Sequence, residues 1–151
     1  MPMVDRDALY PKLSNLLDLW VQRCGDRSLP ARRDFAIEDL RPWLGHLALI
    51  EVGGAPARFR VRLAGTIVTA YEGQDDTGRY LDEVIPAAEL AGRLAPYREC
   101  VQSRQPVLDV PLFPAELHAS RVYQRLLLPC AADGGAVDII ILAVYGDSGR
   151  E

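Results

Sequence analysis

Apolar residues recur at helical spacing near the start of the chain and predict an amphipathic helix over residues 7–24. Pro11 suits the first turn of this helix, because its missing N–H would have no partner there, and Gly25 suits the C-cap. The apolar stripe is broad, so we expect the helix to pack on a sheet. The stripe consists of Leu9, Leu13, Leu16, Leu17, Trp20, Val21 and Cys24.

Two β segments joined by a short Gly/Pro loop predict a hairpin. Residues 47–52 are rich in strand-forming side chains and end at Gly53-Gly54, and residues 58–64 alternate between apolar and polar positions. Before the hairpin, residues 28–35 have the character of an ordered linker. Residues 37–46 predict a short helix that Pro42 interrupts.

The middle of the chain is helical in pattern. A short helical turn around residues 67–71 ends at Gly73, and a polar loop covers residues 74–79. Residues 86–104 predict a second long helix with Leu90, Leu94 and Val101 on one stripe. Because Pro96 lies inside it, we expect a kink or two shorter helices.

Three β-rich runs close the sequence, over residues 107–113, 122–129 and 137–145. The last is apolar on both faces, which is typical of a central strand covered on both sides. Strands joined by short loops favour antiparallel pairing, and helices grouped between them favour an α+β fold. We therefore predict an antiparallel five-stranded sheet with helices in the middle and the N-terminal helix packed on the sheet.

Composition and charge narrow the function classes. The 151 residues suit a single domain, and the formal net charge of -4 provides no basic footprint for nucleic acid. The N-terminus lacks a secretory pattern, and no apolar run approaches the roughly 20 residues that span a bilayer. We expect a cytoplasmic protein that binds neither nucleic acid nor membrane. The arginine clusters are expected to be solvated or paired with carboxylates.

Motifs for catalysis, metals and cofactors are missing from the sequence. Cys24, Cys100 and Cys130 show no metal-ligand spacing and are expected to be reduced, buried thiols. The serines occur in no nucleophile elbow, and the middle helices offer no histidine for haem. These observations predict no catalytic residue, no metal and no cofactor, and hence a protein that is not an enzyme.

A series of short motifs resembles the PAS-like domains of bacterial, mainly alphaproteobacterial, proteins. The motifs are LPARRDF at 29–35, LRPWLGHLAL at 40–49, FRVRLAGT at 59–66, DDTGR at 75–79 and YQRLLLP at 123–129. The resemblance implies a sensory or interaction module without a single agreed ligand or catalytic residues. On this basis the chain divides into an N-terminal helix (1–26), a PAS-like domain (27–147) and a tail (148–151).

In a PAS-like fold, the sheet and the middle helices enclose a pocket that suits a small organic ligand. Which strand positions face inward is left open, because a slip of one residue reverses the faces. The candidate lining residues are Leu49, Val61, Leu63, Ile67, Tyr71, Leu81, Leu94, Val101, Leu126, Leu128 and Ile141.

Arg62 has two interpretations, both structural. It is a surface strand residue or pairs with a carboxylate, or it lies under the N-terminal helix and holds Asp34 in a bidentate pair. The second arrangement would fix the segment 29–35 to the sheet.

The functional hypothesis is a stand-alone sensory and signalling module that acts by protein–protein interaction, gated by a small ligand in the pocket. A homodimer is expected, because the stripe of the first helix is broader than a five-stranded sheet needs. The alternative is a small α+β ligand-binding or cyclase-like enzyme built on an Asp/His or Tyr/Arg pair. Asp109 and Asp138 are the acids available for it, but neither has a histidine near it in sequence.

Overall fold

The computed structural model describes residues 4–111 and 122–146. Five strands form one antiparallel sheet in the order β2-β1-β5-β4-β3. They are β1 (Leu47–Gly53), β2 (Arg58–Ala64), β3 (Val107–Asp109), β4 (Tyr123–Cys130) and β5 (Ile139–Gly146). The predicted α+β fold with its hairpin is confirmed.

The described residues form five α-helices beside the sheet: α1 (Pro11–Cys24), α2 (Ile37–Leu40), α3 (Thr66–Glu72), α4 (Leu81–Val84) and α5 (Leu90–Ser103). Short 3-10 turns cover Arg6–Ala8, Arg32–Asp34, Arg41–His46 and Ala87–Glu89. Within the part of the chain described, no helix combines the length and apolar character that a membrane span requires.

The central strand is β5, as its apolar character on both faces predicts. It lies between β1 and β4, and all eight of its residues are buried. Side chains on one face meet α1, which packs against β4 and β5, and those on the other face meet the middle helices.

Helix α1 begins at Pro11 and ends at Gly25, which has a φ of 58°. Every residue of its predicted stripe is buried within the single chain except Val21, which is 49% exposed. The indole of Trp20 donates a hydrogen bond to the carbonyl of Pro129 at 2.9 Å. The chain's own sheet therefore accounts for the stripe that led us to expect a homodimer, and the homodimer stays a prediction.

Prolines explain two differences from the predicted elements. Helix α5 continues through Pro96 and does not split into two helices. Because proline has no N–H, only the carbonyl of Gly92, four residues earlier, loses its helical hydrogen bond, and Gly92 is exposed. Strand β3 ends at Asp109, before Pro111, which has no N–H to extend a ladder. The predicted end of this strand at 112–113 lies outside the described residues. Helix α4 is four residues long and escaped prediction because a single helical turn is too short for an apolar residue to recur at helical spacing.

Gly65 lies where two backbone segments meet, at the start of α3. A Cβ at this position would come within 2.7 Å of the Leu44 carbonyl oxygen and would also meet the Gly45 carbonyl group. Because these neighbours are backbone atoms, they cannot turn away as a flexible side chain would.

We therefore expect Gly65→Ala to lower the free energy of unfolding by about 1–3 kcal/mol. Chemical denaturation of the purified variants measures this loss. Gly92→Ala is the matched control: no atom lies within 4 Å of the added Cβ, and it should stabilise α5 by about 0.5–1 kcal/mol. Equal effects of the two substitutions would contradict the close approach at Gly65.

Candidate functional site

The concave face of the sheet and the middle helices enclose a small inner cavity of about 50 Å³. Its apolar wall comes from the sheet and from α3, and Tyr97 of α5 and Leu81 of α4 also line it. The sheet residues among its lining are Ala48, Ile50, Val61, Ala64, Arg125, Leu142 and Val144. The even-numbered positions of β1 and β5 therefore face the cavity.

This register shows that most of the strand residues predicted to line the cavity do not line it. Leu49 pairs with Leu63 and Ile141, Ile141 pairs with Leu128, and Leu126 pairs with Ala143, which places these side chains on the α1 face. The inward parity assumed for β1, β4 and β5 was wrong by one residue, as alternation along a strand allows. Leu63 is also 54% exposed, because α1 packs over β4 and β5 and not over the β2 edge.

Other members of the predicted set have different surroundings. Val61 and Leu81 do line the inner cavity. Tyr71 is buried against the ring of Tyr123, with 4.7 Å between ring centres. Leu94 is buried in α5, and Ile67 and Val101 are half-buried at the margin of the core, none of them among the cavity lining.

A second, outer cavity of about 380 Å³ adjoins the first, and most of its lining residues are charged. Its lining is Glu72, Glu89, Gly92, Arg93, Asp109, Val110, Pro111 and Arg125. Glu72 and Arg125 line both cavities, so they stand at the junction between the two.

Arg125 is held by a bidentate ion pair. Its Nε and Nη2 atoms donate to the two carboxylate oxygens of Asp109 at 2.9 and 2.6 Å. The two side chains are 12% and 23% exposed. The guanidinium carbon also lies 5.4 Å from the ring centre of Tyr97. Because these contacts come from both β3 and α5, the charge of Arg125 is fixed in place.

Glu72 ends α3 and projects a half-buried carboxylate towards this arginine. Burial raises the pKa of Glu72, and the positive charges of Arg125 and Arg93 partly oppose that rise. Within the described residues, no side chain or backbone group donates a hydrogen bond to its carboxylate. The cavity therefore contains a half-buried carboxylate that receives no hydrogen bond from the described residues.

The raised pKa of Glu72 predicts a pH-dependent effect of Glu72→Gln on stability. A raised carboxyl pKa stabilises the folded state below the ordinary pKa of about 4.3, and that stability is lost as the pH rises through the folded value. We expect Glu72→Gln to be more stable than the wild type at pH 8, with the difference vanishing near pH 4.

Urea denaturation at both pH values measures this effect. Glu99→Gln, on the exposed side of α5, removes the same charge and is the control. A stability difference for Glu72→Gln that does not depend on pH would contradict the assignment.

The predicted pair of Arg62 with Asp34 does not form. Asp34 instead accepts hydrogen bonds from Arg27 and from the Ala31 N–H, both at 2.8 Å, and these lower its pKa. Arg62 is the bulged residue of β2 and lies 3.6 Å from Glu51 on the surface. The alternative interpretation, a surface arginine paired with a carboxylate, is confirmed.

The residues considered for catalysis are engaged elsewhere. Asp138 accepts the Ala132 N–H at 2.9 Å, and His46 stacks on Tyr145 with 3.8 Å between ring centres. Burial raises the pKa of the Cys100 and Cys130 thiols to about 12, so neither is a thiolate at neutral pH. Within residues 4–111 and 122–146, no group of His, Cys, Asp and Glu could hold a metal. His118 lies outside the described residues.

Sequence reasoning missed Glu72 and the role of Arg125. Glu72 follows the apolar stripe of α3 and precedes Gly73, a position with no special signal. Arg125 and Asp109 each alternate with apolar residues in a strand, and only the register of β3 against β4 pairs them.

The comparisons with known proteins identify the fold family. A family model described as a PAS domain matches residues 10–143. No curated protein matches the chain.

Proposed function

Because the chain belongs to the PAS domain family, a family of sensory and signalling modules, we propose that it detects a small polar molecule in the outer cavity. In this proposal, the signal leaves the domain through contacts with a partner protein. The observation that carries it is the pair Glu72 and Arg125, two charged side chains that line both the inner and the outer cavity.

The sizes of the two cavities favour the outer one as the ligand site. The inner cavity, at about 50 Å³, holds no more than a few water molecules. The outer cavity, at about 380 Å³, falls within the range of about 300–1,000 Å³ that is typical of small-molecule sites. A ligand in it would contact the entrance to the core without displacing core side chains.

The charges in the outer cavity favour a ligand that donates hydrogen bonds. Arg125 is committed to Asp109, and Arg93 pairs with Glu89 at 3.4 Å. Glu72 takes part in neither pair. Its carboxylate would accept a hydrogen bond from an ammonium, amide or hydroxyl group of a ligand. Such a hydrogen bond would offset the free-energy cost of desolvating Glu72. It would also couple ligand binding to the C-terminal end of α3.

Native mass spectrometry of protein purified gently from its natural host tests the ligand part of the proposal. We expect an added mass on the 16.7 kDa chain that is lost on denaturation. Glu72→Ala should abolish the added mass, and Glu99→Ala, which removes a carboxylate from an exposed position, should retain it. A wild-type spectrum with the bare chain alone would refute ligand binding.

The interaction part needs a separate measurement. Crosslinking in the host, followed by capture, should recover a partner whose yield differs between the wild type and Glu72→Ala. Equal yields would show that partner binding does not depend on the outer cavity.

A homodimer also belongs to the proposal. Light scattering at micromolar protein tests it, because a measured mass of 16.7 kDa would be that of a single chain.

A further inference from the structure

A groove of about 760 Å³ on the α1 face of the sheet gathers five arginines from separate parts of the chain. Arg32 and Arg33 come from the 3-10 turn before α2, and Arg58, Arg60 and Arg62 come from β2. The β1–β2 turn, Tyr80 and the connection between β4 and β5 complete its lining. Glu51 and Arg60 pair across β1 and β2 on the side opposite the two cavities.

The groove is positive although the chain has a net charge of -4. Two carboxylates, Glu51 and Asp138, are among its lining. Glu51 is shared between Arg60 at 3.0 Å and Arg62 at 3.6 Å. Just outside, Asp82 neutralises Arg58 through two hydrogen bonds of 2.8 Å. An excess of positive charge therefore remains even when Asp82 is included.

Arg32 and Arg33 carry most of that excess. Within the described chain, neither has a carboxylate within ion-pair distance. The Nη1 atom of Arg32 donates to the Phe35 carbonyl at 2.8 Å, and Arg33 donates to the Ala132 carbonyl at 3.2 Å. The Nε atom of Arg32 is buried without a hydrogen-bond partner. Both side chains line the groove, so the guanidinium donors that they do not use in these contacts can meet an anion there.

We propose that this groove binds a small organic anion that carries two or more phosphate groups. Guanidinium groups hold phosphates through paired N–H donors, and Arg32, Arg33 and the loosely paired Arg62 together exceed what a single phosphate can use. The groove volume suits a small molecule. Because the groove lies on the opposite face of the sheet from Glu72, this site is independent of the function proposed above.

Isothermal titration of the full chain with sodium tripolyphosphate tests the site. In 50 mM NaCl we expect one tripolyphosphate per chain, with monophosphate binding at least about tenfold more weakly. Raising the salt to 300 mM should weaken binding, because screening shortens the range of exposed charges. No detectable heat with millimolar tripolyphosphate would overturn the proposal.

Charge-matched variants separate the groove from a general effect of charge. Arg33→Gln with Arg62→Gln removes two groove arginines that hold only a backbone contact and a long ion pair. This double variant should bind tripolyphosphate at least about tenfold more weakly. Arg41→Gln with Arg98→Gln removes two exposed arginines elsewhere and should change affinity less than about twofold. An equal loss in both double variants would overturn the site.

Glu51→Gln gives a change in the opposite direction. It frees Arg60 and Arg62 from their shared carboxylate, so tripolyphosphate should bind about threefold more tightly. A hexaglutamate peptide identifies the ligand class, because it presents carboxylates at similar charge density. Hexaglutamate binding as tight as that of tripolyphosphate would show that the assignment to phosphates is wrong.

Discussion

Replacing Asp109 with alanine should lower the free energy of unfolding by about 3 kcal/mol, because it leaves the charge of Arg125 shielded from water without its partner. The two side chains are 12% and 23% exposed and share two hydrogen bonds. For a chain of this length, the loss should lower the thermal midpoint by roughly 6–12 °C. Calorimetry or thermal circular dichroism measures it.

The cost should lie at the lower end of the range of about 3–5 kcal/mol for a broken buried pair, since Glu72 lines the same cavity. Once Asp109 is removed, Arg125 can turn towards the Glu72 carboxylate. Asp109→Ala should therefore cost more in a Glu72→Gln background than in the wild type, and a double-mutant cycle measures this coupling.

Asp109→Leu with Arg125→Met is the control, because it removes both charges and should recover most of the stability. A loss below about 1 kcal/mol for Asp109→Ala would place the pair among solvated surface ion pairs instead.

Elements whose apolar pattern is local were predictable from the sequence. The stripe of α1, the alternation of Phe59 and Val61 in β2 and the uniformly apolar β5 each identify an element without knowledge of its neighbours. These patterns reflect which side chains leave water, and that choice follows from the residue type and the period of the element.

The face of each strand that meets the cavity could not be predicted, because it depends on register. A bulge between Leu49 and Ile50 changes the pairing of β1 with β2 and makes Arg62 the unpaired residue. In β5 both faces are apolar, so alternation gives no sign of which side faces the inner cavity.

Charged contacts between distant segments were equally hidden. Asp109 and Arg125 meet only because β3 pairs with β4 in one register. The groove arginines had a partial signal, since Arg58, Arg60 and Arg62 occur at every second position of a strand. What the pattern could not show is that Arg32 and Arg33 reach the same groove from a separate turn.

Replacing Trp20 with alanine should lower the free energy of unfolding by about 3–5 kcal/mol, which is typical of a buried tryptophan. Trp20 is 5% exposed, and its indole N–H satisfies the Pro129 carbonyl. Trp20→Phe keeps most of the apolar volume but loses the donor, so it should cost about 1–3 kcal/mol. Val21→Ala, at the neighbouring exposed position, should stay within about 0.5 kcal/mol. Denaturant titrations of the three variants measure these differences.

The concentration dependence of the Trp20→Ala loss then separates two roles for α1. If α1 covers its own sheet, as its contacts with β4 and β5 indicate, the loss should be the same at 1 and at 100 µM protein. If α1 were exchanged with a second copy, the wild-type midpoint itself would rise with protein concentration. A rise of that kind, abolished by Trp20→Ala, would contradict the packing of α1 within one chain. A constant midpoint together with a dimer in solution would instead assign the dimer contact to a surface other than the buried face of α1.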